Sequence, residues 1–384
     1  MSKRLLISLY SHPENYPPTL NAISSLANIF DDITILFRPF NKSEWPYPKN
    51  IKLVECGAEM TALEQQNLPA LKKVKLFAGY VKKMRQLCRE EKPDMVLLYD
   101  PLPLYAYSLA KKGLKNKPVI WYHNHDILEI KNTRKYSVSW FAAKGEKRMF
   151  KNIDIFSLPS NERKAYFPMD KLKGEYFFLP NVPAGSFYRK FQKAKSINGS
   201  LNLIFQGSID KGHGIEEIIN MMPFEIKGKP VKLTMTGWLH GAFGETIDKA
   251  IKEKGIGGSV NFAGWLPYAE LPAVTASCDV GIAIFTKTDV MNKTLGTASN
   301  KIYEYAAVGL PILYFDNPHF KEHLGKYNWA VPTDLSDGSI KNSLEKIVTD
   351  YEKLSANAMS AFNTSLNYES HFEQISIYIK QALK

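Results

Sequence analysis

Cysteine is scarce in this chain. Cys56, Cys88 and Cys278 are its three cysteines in 384 residues, and they stand far apart. They cannot form a disulfide framework or a Cys-x-x-Cys metal site, which points to a reducing compartment. No apolar run reaches the 18 or so residues that cross a bilayer. The start, Met1 to His12, has basic residues and the short apolar stretch Leu5–Tyr10, but no small-residue cleavage site. It reads as a buried first strand rather than a signal peptide, so the expected location is the cytoplasm. No Gly-x-Gly-x-x-Gly follows that strand, which disfavours a dinucleotide-dependent oxidoreductase. Low-complexity segments and short repeats are also missing. With 45% hydrophobic and 23% charged residues, the composition is that of an ordinary globular protein and excludes a disordered or collagen-like chain.

Acidic residues are in deficit, but only in one half. Residues 1–190 hold 31 basic and 18 acidic side chains, whereas residues 191–384 hold 19 and 20. The whole excess of +12 therefore comes from the first half. Such asymmetry suggests that one domain faces a polyanion, either a nucleic acid or an anionic membrane. A nucleic-acid partner is not expected, because no recognition motif accompanies the charge.

The length predicts two domains. Short apolar runs at Leu5–Tyr10, Ile33–Phe37, Met95–Tyr99, Val119–Tyr122 and Ile155–Leu158 alternate with segments of helical spacing. This pattern predicts a parallel α/β sheet covered on both faces. The Leu-Pro-Asn-Val-Pro stretch at 179–183 ends the series, and Ala184 to Gly199 reads as a polar linker. A second series follows at Leu201–Gln206, Val231–Thr236, Val260–Phe262, Val280–Phe285 and Pro311–Phe315. The expected domains are therefore residues 1–183 and 198–366. A last helix at 368–384 is expected to pack back on the first domain.

In the second half, a strand runs into Gly207-Ser208, and Lys211-Gly212-His213-Gly214 opens the next helix. Backbone N–H groups at such a turn bind anions, and Lys211 and His213 would add to that. The bland alternative is a tight strand–helix connection with a solvent-facing Lys. Further on, Ser299-Asn300-Lys301-Ile302-Tyr303-Glu304 opens a helix that ends at Gly309 before the strand from Pro311. Glu304 stands where a carboxylate could accept two ribose hydroxyls, and Lys301 one turn earlier could meet a phosphate. A surface Glu–Lys pair is the alternative.

These stretches resemble glycosyltransferase family 4, the retaining enzymes of GT-B fold, over nearly the whole chain. Phe205-Gln206-Gly207 followed by Gly212-His213-Gly214 resembles that family's first strand and phosphate loop. Val260 to Pro267 resembles its base-binding turn, Asp279 to Ala283 the strand before its donor loop, and Pro180-Asn181 its interdomain pair. The resemblance implies two Rossmann-like domains whose sheets face each other across a cleft. It also implies a donor site formed by Gly207, Ser208, Lys211, His213, Gly237, Trp265, Leu266, Asn300, Lys301, Ile302 and Glu304. Two departures stand out. Gly296 occupies the position of the family's first glutamate, eight residues before Glu304, and His213 stands near where the family carries a second cation.

In the first half, the strand Val119–Tyr122 ends in His123-Asn124-His125-Asp126. Ligands in such sheets sit beyond the carboxyl ends of strands. A metal site is one reading and a capping histidine another. The resemblance implies a third, in which His125, or His123 in another register, lies near the transferred sugar. Lys211 and His213 would act on the leaving diphosphate. His12 and Tyr16 in the first loop, Asp100 after the strand Met95–Tyr99, and Asp126 are candidate acceptor-side contacts; for Asp100 a turn-capping role is the alternative. Two basic amphipathic segments, 71–89 and 131–151, are candidates for docking on the inner face of an anionic membrane. Leu71 to Arg89 is expected to bury Val74, Phe77, Ala78, Val81, Met84 and Cys88 on one helical face.

Taken together, the expected activity is transfer of a sugar, with retention, from a nucleoside-diphosphate sugar to a hydroxyl acceptor. UDP is expected before GDP on family grounds. A glycan or lipid-linked acceptor in surface polysaccharide or glycolipid synthesis fits the basic half. No Asp-x-Asp triplet is present to hold a divalent metal on a diphosphate, so no metal or other cofactor is expected. A non-hydrolysing nucleotide-sugar epimerase of the same fold and a catalytically inactive sugar-nucleotide-binding relative are the alternatives.

Overall fold

The structure is a computed structural model that describes residues 2–40, 45–287 and 294–384. The chain divides into two compact units, residues 1–180 with 371–384, and residues 181–370.

The first unit holds seven strands: β1 (Arg4–Ser8), β2 (Asp32–Phe37), β3 (Ile51–Glu55), β4 (Met95–Tyr99), β5 (Val119–His123), β6 (Ile155–Leu158) and β7 (Glu175–Phe178). Every pairing is parallel, in the order β3-β2-β1-β4-β5-β6-β7. Order reverses between β1 and β4, which makes the carboxyl ends of those strands a ligand position. The central strands are continuous apolar runs because helices cover both faces. β3 and β7, half-exposed edge strands, escaped the sequence reading because they lack that apolar continuity.

The 21-residue helix Ala70–Glu90 buries Phe77, Tyr80, Met84, Leu87 and Cys88. Val74 and Ala78, expected on that face, are exposed, so the buried stripe starts one turn later and runs through Tyr80 and Leu87. The final helix, Tyr368–Ala382, buries Phe372, Ile375 and Ile379. Within the first unit Phe372 lies against Trp121 (6.2 Å between ring centres) and Tyr378 against Phe177 (5.6 Å).

The second unit repeats the design with β8 (Leu201–Ile209), β9 (Glu225–Ile226), β10 (Lys229–Leu239), β11 (Val260–Phe262), β12 (Val280–Ala283), β13 (Ile312–Phe315) and β14 (Ala330–Thr333). Its parallel order is β11-β10-β8-β12-β13-β14, with the two-residue β9 antiparallel to β10. The switch point falls between β8 and β12. Residues 184–199 do not act as a plain linker. Gly185–Tyr188 is a helical turn, and Tyr188 is fully buried within this unit. The polar look of the stretch hid one anchoring aromatic. No helix among the described residues is long and apolar enough to cross a membrane.

Candidate functional site

In the second unit, the carboxyl ends of β8 and β10 run side by side with Gly207 opposite Gly237. Gly207 has φ +108° and Gly237 φ +129°. A Cβ on Gly237 would lie 1.9 Å from the Gly207 carbonyl oxygen, so only glycine fits there. Gly207 and Ser208 are exposed, and Ser208 Oγ lies 2.9 Å from His240 Nε2.

Lys301 enters this edge from the first turn of the helix Asn300–Ala307. Its Nζ sits 3.9 Å from the ring centre of Phe205 and 5.0 Å from that of Phe285. Its Nζ is 3.4 Å from where a Cβ on Gly207 would stand. Burial lowers its pKa to about 7, opposed by the Glu304 charge. Among the described residues no carboxylate forms an ion pair with it. The neighbouring Asn300 carries a buried Oδ1 with no hydrogen-bond partner among the described residues. A cation and an amide thus stand at an exposed glycine backbone.

Glu304, one turn on, is 3% exposed. Its Oε2 accepts from Gln206 Nε2 at 2.5 Å, and Gln206 Oε1 accepts from Thr275 Oγ1 at 2.8 Å. Burial raises its pKa to about 7, while the neighbouring Tyr268, Gln206 and Tyr188 side chains favour the charged form. The carboxylate lies beneath the edge with Oε2 held by Gln206, while Oε1 is buried with no hydrogen-bond partner among the described residues. Gln206, Thr275, Tyr188 and Tyr268 went unread in the sequence. A buried Glu in an apolar helix was the one signal that partners must exist.

His213 stacks on Phe205 (5.1 Å), and its Nδ1 accepts from the Asp210 N–H at 3.3 Å. Burial first, then Lys301, lowers its pKa to about 3, so the ring is neutral. It supports the loop, and the charge comes from elsewhere. Lys211 is exposed, and Lys287, not singled out in the sequence, pairs with Asp210 at 2.6 Å. Ile302 is buried core. Leu266 is half-buried beside Trp265. Trp265 is 42% exposed and Trp238 56%, with ring centres 6.0 Å apart. Two large aromatic faces in water flank the glycine edge.

Gly296 is packed, not open. Its N–H donates to His319 Nε2 at 2.9 Å, its carbonyl accepts from Tyr303 at 2.5 Å, and a Cβ would meet His323 at 2.8 Å.

The first unit places its expected residues at the carboxyl ends of β4 and β5. His125 is buried between two parallel rings, Tyr16 at 5.2 Å and Tyr99 at 5.0 Å, with Nε2 3.1 Å from Thr19 Oγ1. His123 is buried on the strand with Nδ1 2.7 Å from Ser157 Oγ. Burial lowers both pKa values, that of His123 to about 3, so both rings are neutral. Tyr16 donates to Asp126 Oδ2 at 3.3 Å. Asp100 Oδ1 accepts from the N–H groups of His125 (2.7 Å) and Asp126 (3.1 Å). Buried Arg163, which the sequence did not reveal, donates to the His125 carbonyl at 2.5 Å. His12 is buried, and its Nδ1 accepts from the Glu14 N–H and so caps a turn.

Strand order, glycine edge and cation together invite comparison with known proteins. Residues 187–361, a little under half of the chain, match the family model described as "Glycosyl transferases group 1". The fold is GT-B. A sucrose-phosphate synthase from Thermosynechococcus elongatus superposes with a TM-score of 0.69 at 13% identity, covering 99% of this chain and 98% of that one. Anabaena Alr3699/HepE, solved in complex with UDP, gives 0.66 at 14% identity, covering 99% and 100%. A Listeria monocytogenes protein described as a candidate UDP-N-acetylglucosamine 2-epimerase gives 0.61 at 14%, covering 100% and 97%. At such identities these likenesses show the fold alone. A comparison of the sequence with curated proteins finds no match. The family match supports sugar transfer as the reaction class.

Proposed function

We propose that the protein is a retaining glycosyltransferase that moves a hexosyl group from a nucleoside-diphosphate sugar, UDP before GDP, to a hydroxyl acceptor. The observation that carries this is Lys301, a partly desolvated cation without a paired carboxylate among the described residues, beside the exposed Gly207 backbone. A diphosphate would supply the missing counter-charge and would restore the lysine's proton. In the reaction, Lys301 and backbone N–H groups would stabilise the charge that grows on the leaving diphosphate. Lys211 is close enough in the chain to add to this, whereas neutral His213 is not a charged ligand. Ribose would meet Glu304 through Oε1, the carboxylate oxygen that Gln206 does not hold. The exposed Trp238 and Trp265 rings would flank the nucleobase.

Transfer would proceed without a divalent metal, with Lys301 offsetting charge on the leaving diphosphate. The neutral imidazole of His125 would orient the sugar or the acceptor hydroxyl. The acceptor would be a glycan or a lipid-linked sugar of surface polysaccharide or glycolipid synthesis.

Basic helices of the first unit would rest on the cytoplasmic face of an anionic membrane. Exposed Leu71 and Val74 sit among Lys72, Lys73 and Lys75, and exposed Tyr136 and Phe141 neighbour Trp140, which Lys144 covers at 3.9 Å. Apolar tips among lysines suit a lipid headgroup layer.

The test is turnover of UDP-glucose, UDP-galactose and GDP-mannose with and without chelator, with the product anomer read by NMR. Release of nucleoside diphosphate that survives chelation, with the donor's anomeric configuration kept, supports the proposal. No turnover of any donor, or turnover that chelator abolishes, contradicts it.

A further inference from the structure

Asp100 holds a backbone conformation that belongs to glycine. It joins β4 to the helix Pro101–Ala110 with φ +67° and ψ +169°. A residue before proline prefers negative φ in the extended region, and the observed region is essentially restricted to glycine. A side chain kept in so unfavourable a place is there because it does something glycine cannot do.

It does not cap the helix it precedes, so the turn-capping alternative is set aside. Its Oδ1 instead reaches across to β5 and accepts two successive N–H groups, His125 at 2.7 Å and Asp126 at 3.1 Å. Its own N–H donates to the His123 carbonyl at 3.0 Å. Arg163 holds the His125 carbonyl from the other side. The 123–126 turn is therefore fixed at both a carbonyl and the amides that follow it. That turn sets the His125 ring parallel to Tyr16 and Tyr99 and turns Nε2 toward Thr19. All of this lies at the carboxyl ends of β4 and β5, beside the switch point of the first sheet. Burial, and then the Asp126 carboxylate, raise the Asp100 pKa well above the usual range, so the placement is also electrostatically unfavourable.

We infer that Asp100 is a positioning residue, whose strained backbone aims its carboxylate at the 123–126 turn and thereby fixes how His125 is presented. The turnover part of the test rests on the transferase reading; the exchange part does not.

Two variants separate this role from a merely structural one. Asp100→Gly frees the backbone and removes the carboxylate. It is expected to melt at or near the parent temperature, while amide deuterium uptake in the peptide covering 123–126 becomes about tenfold faster. UDP-glucose turnover should fall at least tenfold in kcat with little change in KM, because the second unit holds the donor. Asp100→Asn keeps an oxygen for the two N–H groups, and should recover slow exchange and most of the turnover. Parent-like exchange in the Gly variant overturns the inference. So does a Gly variant that unfolds, or an Asn variant with slow exchange but no turnover, which would mean direct contact with substrate by the charge. If the parent itself turns over no sugar nucleotide, the transferase reading fails, and the exchange comparison still decides the role of Asp100.

Discussion

The two units use one strand order and put opposite chemistry at its carboxyl edge. In the first, the side chains at that edge satisfy one another: His125 lies between two tyrosines, Asp100 holds two backbone amides, and Arg163 holds a carbonyl. In the second, the edge is glycine backbone with Lys301 beside it and two tryptophans in water. A pre-aligned edge whose polar groups already satisfy one another suits an uncharged hydroxyl partner. A cation with no paired carboxylate among the described residues suits an anion. The lesson is that a shared topology fixes where a ligand sits, and the residues on a few strand ends decide its charge.

Four substitutions in the second unit would break or sharpen this contrast. The largest effect is expected from Glu304→Ala. It leaves the Gln206 amide and the Tyr188 and Tyr268 phenols around a cavity, with a loss of about 3 kcal/mol in denaturant unfolding and loss of the nucleotide response. If instead the variant is as stable as the parent, the buried network carries no weight.

Next is Lys301→Met, which removes the charge and keeps the stem. Nucleotide affinity should fall about 30-fold, the equivalent of about 2 kcal/mol for charge-assisted bonds. The same lysine sets a pH dependence. Its free pKa is about 7, and a bound diphosphate would raise it. Below pH 7 the cation is already present. Above pH 7 binding must take up a proton, so affinity falls as pH rises from 7 to 9. Calorimetry in buffers of different ionisation enthalpy reads that proton.

Gly296→Glu, which would create the glutamate pair expected from the family resemblance, should lower stability by about 1–3 kcal/mol instead of adding activity. The reason is the crowding by His319 and His323. A stable variant with faster turnover would show that the site can reopen. The smallest effect is expected from Lys287→Ala. Its pair with Asp210 is largely solvated, so stability should change by less than about 1 kcal/mol.

Much of the fold was legible in the sequence because buried parallel strands are uninterrupted apolar runs. Met95–Tyr99 and Ile155–Leu158 were read to the residue. Edge strands such as Ile51–Glu55 were not, since half of their side chains face water. Lys301 and Glu304 could be picked out because charge inside an apolar helix is costly. What their side chains do could not be read, because Gln206, Thr275 and Tyr188 come from distant stretches that only the fold brings together. The Asp100 role was hidden for a different reason: a backbone angle leaves no trace in residue type, and Asp before Pro reads as an ordinary turn.

Isothermal titration of UDP into the parent and Lys301→Met proteins at pH 8 tests the central claim most directly. The account predicts saturable binding to the parent with uptake of nearly one proton, and weaker binding to the variant without that uptake. A parent that does not bind UDP, or a variant that binds it with the same affinity and the same proton uptake, would contradict it.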